Sequence, residues 1–272
     1  MTKIHSICDK KIIGENHRLT VYEPEELKYP QPILAIHGMW GTSRRWENYG
    51  NFFSKRGFLF IAPDLRHHHQ GNQFVKELGE TSVNDYIADI KKLIETIPPP
   101  IIFGHSMGGL IAQKIASHNL SSKTVLLNSA PPAGVSLYAD FRYQLSVIPY
   151  LPRILLKKSF KPSFKTFSRY VMNGMPEESR KSLYQSLVYE SGQAAWDIKY
   201  GKIEVNFNDL ACPMLIIGCK KDRIVPPKVA EDIGKKIRHC DYNVWTYPQF
   251  AHWIQLESGW EEPAQHILEW IK

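Results

Sequence analysis

The chain should fold as an α/β protein, with a mostly parallel central sheet, helices on both faces, and an inserted, mainly helical cap. Three observations predict this. Short apolar runs without polar alternation recur along the chain, as strands buried on both faces require. Amphipathic helical patterns separate those runs, which is the rhythm of parallel strands joined by crossover helices. That rhythm stops near Pro131 and resumes after Pro213. At 272 residues, one large α/β domain with an insertion fits the length.

The opening segments, Ile4 to Ile13 and Arg18 to Tyr22, read as an antiparallel pair. Pro32 to Gly38 is a buried strand running into a glycine, followed by a helix from Trp46 to Lys55. Phe58 to Ala62 is a second buried strand, stopped by Pro63. Between Ser82 and Ile97, Val83, Tyr86, Ile87, Ile90, Leu93, Ile94 and Ile97 recur at helical spacing. Pro98, Pro99 and Pro100 end that helix, because proline lacks the N–H a continuing helix needs. Strand Ile101 to Phe103, a glycine-flanked turn, helix Met107 to Ser117 and strand Thr124 to Leu127 follow. From 131 to 205 no strand-like run appears. Then come strand Met214 to Gly218, helix Lys228 to Ile237, strand Tyr242 to Tyr247 and a closing helix from Trp260 to Ile271. Residues 1–130 and 206–272 thus form one core, and 131–205 a helical cap set into it.

A composition of 43% hydrophobic and 22% charged residues excludes a disordered chain. No run has the length and purity of a membrane-spanning helix. The first residues, MTKIHSICDKK, carry lysines where a secretory signal has its apolar core, so a cytoplasmic protein is expected. Cys8, Cys212, Cys219 and Cys240 include no C-x-x-C pair and read as thiols rather than a disulfide framework. The formal charge is +7, yet no compact basic run interleaved with aromatics appears, so nucleic acid is not an expected partner.

Gly104-His105-Ser106-Met107-Gly108 is the sharpest signal. A strand precedes it and an apolar helix follows, which is the context of a serine thrown up on a tight strand-to-helix turn. At a helix N-terminus, backbone N–H groups point at any developing negative charge. Two further segments follow strands: Gly218-Cys219-Lys220-Lys221-Asp222 and Phe250-Ala251-His252-Trp253. Together these motifs resemble the α/β-hydrolase superfamily, here a serine esterase- or lipase-like member with a helical cap. Its chain order is Ser, Asp, His. The resemblance implies Ser106 as nucleophile, His252 as its general base and Asp222 as the group that orients the imidazole. Asp232 sits within a helix pattern and Asp241 at a strand start, so both fit the acid role worse. His37-Gly38-Met39-Trp40-Gly41 resembles the superfamily's oxyanion loop, and the backbone N–H groups of Met39 and Met107 are the implied oxyanion donors.

One run departs from the superfamily. Where D-x-R-G-H-G is frequent, this chain reads Asp64-Leu65-Arg66-His67-His68-His69, with His67 and His69 in place of the glycines. Without those glycines the loop conformation there stays open. Successive residues of an extended chain point to opposite sides, so the three histidines do not converge on an ion. A surface or packing loop is expected. Neither a metal nor a cofactor is expected, since serine acyl transfer uses none.

The resemblance implies a serine hydrolase acting on a small-molecule carboxylic ester through an acyl-enzyme. Thioester, lactone and carbon–carbon bond hydrolysis on the same triad stay open. So does an inert, ligand-binding or receptor-like protein, which the retained Ser, Asp and His disfavour. The cap carries 11 Lys or Arg against 6 Asp or Glu, interleaved with aromatic and aliphatic residues. It is either a cover with solvated lysines or an apolar acyl pocket with a basic rim that includes Lys157, Lys158 and Lys161. The second reading suits lipid-like or anionic esters and peripheral contact with a membrane surface.

Overall fold

The apolar runs pair into one eight-stranded sheet in the computed structural model, which describes residues 6–12, 15–69 and 76–272, with side chains from 18 onward. Ile4 and Ile13, the ends of the first segment read above, lie outside the described residues, as does residue 5 within it. The strands are β1 (Ser6–Ile12), β2 (Glu15–Tyr22), β3 (Ile33–Ile36), β4 (Phe60–Pro63), β5 (Ile101–His105), β6 (Lys123–Leu127), β7 (Met214–Cys219) and β8 (Tyr242–Tyr247). Their spatial order is β1-β2-β4-β3-β5-β6-β7-β8. β1 and β2 pair antiparallel, as do β2 and β4, and the remaining pairs are parallel.

Side-chain alternation along each strand divides the core between the two faces. Leu34, Ile36, Ile102, Leu126, Met214 and Ile216 point to one side, against α3 (Val83–Ile94), α4 (Met107–Ala116) and α10 (Pro227–Gly234). Ile33, Ala35, Phe60, Phe103, Val125 and Ile217 point to the other, against α1 (Glu47–Ser54) and α11 (Glu261–Ile271). Ser82 caps α3 by accepting from the Asp85 N–H, while the Asp85 carboxylate accepts from the Ser82 N–H. A short helix, α2 (Lys76–Glu80), has no counterpart in the sequence reading; its five residues are too few to show a period.

Between β6 and β7 the chain forms α5 (Phe141–Val147), α6 (Leu151–Leu155), α7 (Phe164–Thr166), a wide helical turn at Phe167–Val171, α8 (Glu177–Gln185) and α9 (Gly192–Lys199). Its inward residues, among them Ile154, Phe160, Phe167, Leu187 and Ala194, join the same apolar cluster as α3 and α4.

The chain runs from β3 outward to β4, then returns to place β5 on the other side of β3. Such a reversal leaves a crevice at the carboxyl ends of the two central strands, where open α/β sheets bind ligands. Gly38 follows β3 there, and Ser106 follows β5.

Candidate active site

Ser106 occupies the turn between β5 and α4 with φ 53° and ψ −120°. Few non-glycine residues adopt such angles, and those that persist are held by their surroundings. Here the Ser106 N–H donates to Leu127 O at 3.1 Å, and its carbonyl accepts from Gly109 and Ala130, each at 2.9 Å. The turn also needs close backbone packing. A Cβ on Gly108 would lie 2.2 Å from the Ile36 carbonyl, so only glycine lets α4 sit this near β3.

His252 and Asp222 come from the loops after β8 and β7. His252 Nε2 lies 3.2 Å from Ser106 Oγ, and His252 Nδ1 lies 2.7 Å from Asp222 Oδ2. A carboxylate accepts, so Nδ1 carries the proton and the Nε2 lone pair faces the serine hydroxyl. The other Asp222 oxygen, Oδ1, accepts from the N–H groups of Ile224 and Val225 at 2.8 and 2.9 Å. Asp222 and His252 are both buried. Asp232, by contrast, lies in α10 and binds Lys228, Lys235 and Tyr138.

Three side chains without an assigned role in the sequence hold the His252 loop. His105 Nε2 donates to the His252 carbonyl at 2.8 Å. Burial, and then the neighbouring His252, push His105 well below the usual histidine range, so it stays neutral. Asn128 donates to the carbonyls of Ala251 and His252 at 2.9 and 3.0 Å. Glu257 accepts from the flanking Ala251 and Trp253 N–H groups at 2.8 and 3.0 Å. Burial raises the Glu257 carboxyl above its usual range, against the pull of those two hydrogen bonds. His105 was visible only as a letter in the elbow motif. Asn128 and Glu257 carry no local signal at all.

The loop after β3 lies against Ser106: a Cβ on Gly38 would approach Ser106 Cβ to 2.8 Å. Met39 follows, half-buried, and Met107 opens α4, where an N–H has no intrahelical acceptor. His37 is fully buried, and its Nε2 accepts from the Leu65 N–H at 3.0 Å. Burial, and then the charge of His68, keep His37 well below the usual histidine range.

The three-histidine run behaves as a packing loop at its centre. His67 has φ 63°, the left-handed conformation a glycine would supply, so the doubt raised by the missing glycine is resolved by a strained histidine. His68 is buried, with Nδ1 on Arg66 O at 3.0 Å and Nε2 on Glu190 at 2.9 Å. Both ring nitrogens are therefore engaged. Among the described residues no group of three His, Cys, Asp or Glu side chains is placed to hold a metal ion. Lys161 departs from the expected basic rim. It is half-buried, its Nζ donates to Leu187 O at 2.6 Å, and it lies over the Tyr184 ring.

Residues 30–259 match the family described as serine aminopeptidase, S33. The AB hydrolase superfamily protein YisY of Bacillus subtilis is 25% identical over 228 residues, covering 80% of this chain and 84% of that protein. The thermostable monoacylglycerol lipase of Bacillus sp. is 19% identical over 251 residues, covering 89% and 90%. Among solved structures, a soluble variant of monoglyceride lipase from Saccharomyces cerevisiae superposes with a TM-score of 0.81 at 17% identity, covering 100% of this chain and 96% of that one. At that identity the likeness shows the fold.

Proposed function

The chain belongs to the S33 serine aminopeptidase family of α/β-hydrolases, and on that premise we propose that it hydrolyses carboxylic esters through an acyl-enzyme on Ser106. The observation that carries the reading is the Asp222–His252–Ser106 relay, with its contacts of 2.7 and 3.2 Å.

In the proposed reaction Ser106 Oγ attacks the ester carbonyl while His252 Nε2 takes the hydroxyl proton. Asp222 keeps the proton on Nδ1 and stabilises the imidazolium that forms. The tetrahedral oxyanion is received by the N–H groups of Met39 and Met107. Collapse expels the alkoxide, which takes the proton from His252 and leaves as the alcohol. A water then repeats the sequence on the acyl-enzyme and releases the acid.

We read residues 1–130 and 206–272 as the catalytic core and 131–205 as its cap. Lipid-like esters fit this cap best. Its outer surface exposes Phe141, Leu145, Ile148, Leu155 and Leu156, with Phe141 at 70% and Leu156 at 65% exposure. Arg142, Arg153, Lys157, Lys158 and Lys165 are exposed among them. Apolar side chains set among cations suit the interface of an anionic membrane. The contact we propose is peripheral; among the described residues no helix is long and apolar enough to cross a membrane.

The test is labelling by a fluorophosphonate probe, followed by a panel of nitrophenyl esters, a thioester and an aminoacyl nitroanilide. Ester turnover that rises from acetate to medium chains, with labelling and turnover both lost in Ser106→Ala, is the expected result. Persistence of turnover in purified Ser106→Ala overturns the reading, and a preference for the thioester or the anilide replaces the ester by that substrate.

A further inference from the structure

Trp40 has φ 58°, in the left-handed region where a bulky residue is a true outlier. It directly follows Met39, so its N–H belongs to the peptide plane that leaves the proposed oxyanion donor. Something must hold Trp40 in this conformation, and three contacts do so, one of them on that plane. The Trp40 N–H donates to Glu190 Oε2 at 3.2 Å, its carbonyl accepts from Val188 N–H at 3.1 Å, and its indole N–H donates to Phe160 O at 3.3 Å. All three come from one element of the inserted segment, because Phe160 and Glu190 exchange a pair of backbone hydrogen bonds at 2.9 Å.

Glu190 is the unusual member. Its carboxylate and the His68 imidazole both have 0% side-chain exposure. Burying two charges is costly, and the cost is offset only when every lone pair and proton is satisfied. Here Oε2 takes Trp40 N–H and His68 Nε2, while Oε1 takes the Tyr86 hydroxyl at 3.2 Å and the Ser191 N–H at 2.7 Å. An ionised carboxylate has about four acceptor positions, and four donors fill them. Since His68 Nδ1 donates to a carbonyl, Nε2 must also carry a proton to meet an ionised Glu190. Burial works against that charge on His68, but the charge and hydrogen bond of Glu190 outweigh it and raise the imidazole above its usual range.

We propose that Glu190 is a positioning residue. It anchors the Trp40 peptide to His68 and Tyr86 of the core, and so aims the Met39 N–H at the oxyanion. This rests on the reading of Met39 as an oxyanion donor. It makes the strained loop competent only when the inserted segment is seated.

The experiment compares Glu190→Gln with Ser191→Ala. Ser191 packs in the same element; its hydroxyl, which the variant removes, bonds Gly79 O, Thr81 O and Ala194 N–H, while its backbone N–H on Glu190 is kept, so its variant reports general loosening. Both are measured for kcat, KM, thermal midpoint and affinity for an alkylboronic acid, whose serine adduct places an oxygen in the oxyanion site. Glu190→Gln should lower kcat by at least about tenfold with KM within about threefold, and weaken the boronic acid by a similar factor. Ser191→Ala should leave both near wild type at a comparable loss of thermal midpoint. If Glu190→Gln does not fold, Glu190→Asp is read by the same criteria, since it keeps the carboxylate charge but shortens the side chain by one methylene and draws the shared oxygen back from the Trp40 N–H. Wild-type kcat and boronic-acid affinity in the Glu190 variant, or equal losses in Ser191→Ala, overturn the proposal. If turnover remains lost in Ser106→Ala, that failure touches the role of Glu190 alone; turnover that survives Ser106→Ala removes the underlying reading as well.

Discussion

Replacing Asp222 with Asn should silence the site without disturbing the fold, and the structure says why. Asp222 Oδ1 receives the Ile224 and Val225 N–H groups at 2.8 and 2.9 Å. An amide NH2 placed there would set donor against donor twice, so the Asn oxygen must stay on that side. The NH2 group then faces His252 Nδ1 across the position now spanned at 2.7 Å. Nδ1 becomes the acceptor, the ring proton moves to Nε2, and Nε2 can no longer take the proton of Ser106. A wrong tautomer of this kind lowers kcat by about four orders of magnitude, which is about 5.4 kcal/mol at 1.36 kcal/mol per decade. KM should change little, because the Asp222 side chain has no exposed surface and its oxygens are taken by His252 and two backbone N–H groups. The assay is steady-state hydrolysis of a nitrophenyl ester beside wild type, with circular dichroism and thermal midpoint as fold controls. Asp232→Asn, on the surface of α10, should remain within about twofold of wild type. A folded Asp222→Asn enzyme whose kcat stays within threefold of wild type would refute the argument.

The raised pKa of His68 sets a pH-dependent stability. Burial opposes its charge while Glu190, then the Arg66 carbonyl and then Asp64, favour it. The folded value lies above the unfolded value of about 6.5, so this stabilisation is complete below that pH and is lost as pH climbs through the folded value. The gap in urea midpoint between wild type and His68→Gln should therefore narrow between pH 6 and pH 9; a gap that widens contradicts the buried ion pair. Charge reversal at Lys157, Lys158 and Lys165 together should weaken co-sedimentation with anionic phospholipid vesicles and leave nitrophenyl acetate hydrolysis unchanged, with the difference fading at high salt. Equal vesicle binding by wild type and variant counts against the membrane-facing cap. Phe103, buried among Trp46, Phe53 and Phe60, should cost about 3–5 kcal/mol when cut to alanine, read from urea unfolding. A loss below about 1 kcal/mol would mean that the aromatic cluster closes over the cavity.

By itself the sequence determined the architecture, because buried strands and amphipathic helices leave their periods in consecutive residues. The strand read at Ile101 to Phe103 and the helix read at Ser82 to Ile97 needed no tertiary information, and they stand in the fold as Ile101–His105 and Val83–Ile94. It also marked Ser106, Asp222 and His252, since each sits on a turn whose glycine or flanking strand is a local feature. The tertiary structure decided which side chains hold those turns in place. His68 and Glu190 are 122 residues apart, Trp40 and Glu190 are 150 apart, and Asn128 and His252 are 124 apart. A backbone N–H looks the same at every position, so no pattern in the chain states which distant carboxylate will accept it. The left-handed His67 and the tethered Lys161 escaped the sequence for the same reason. A glycine in a strained turn is a local signal, whereas a non-glycine residue held in that turn, or a lysine drawn to a carbonyl, depends on partners that only the folded chain brings near.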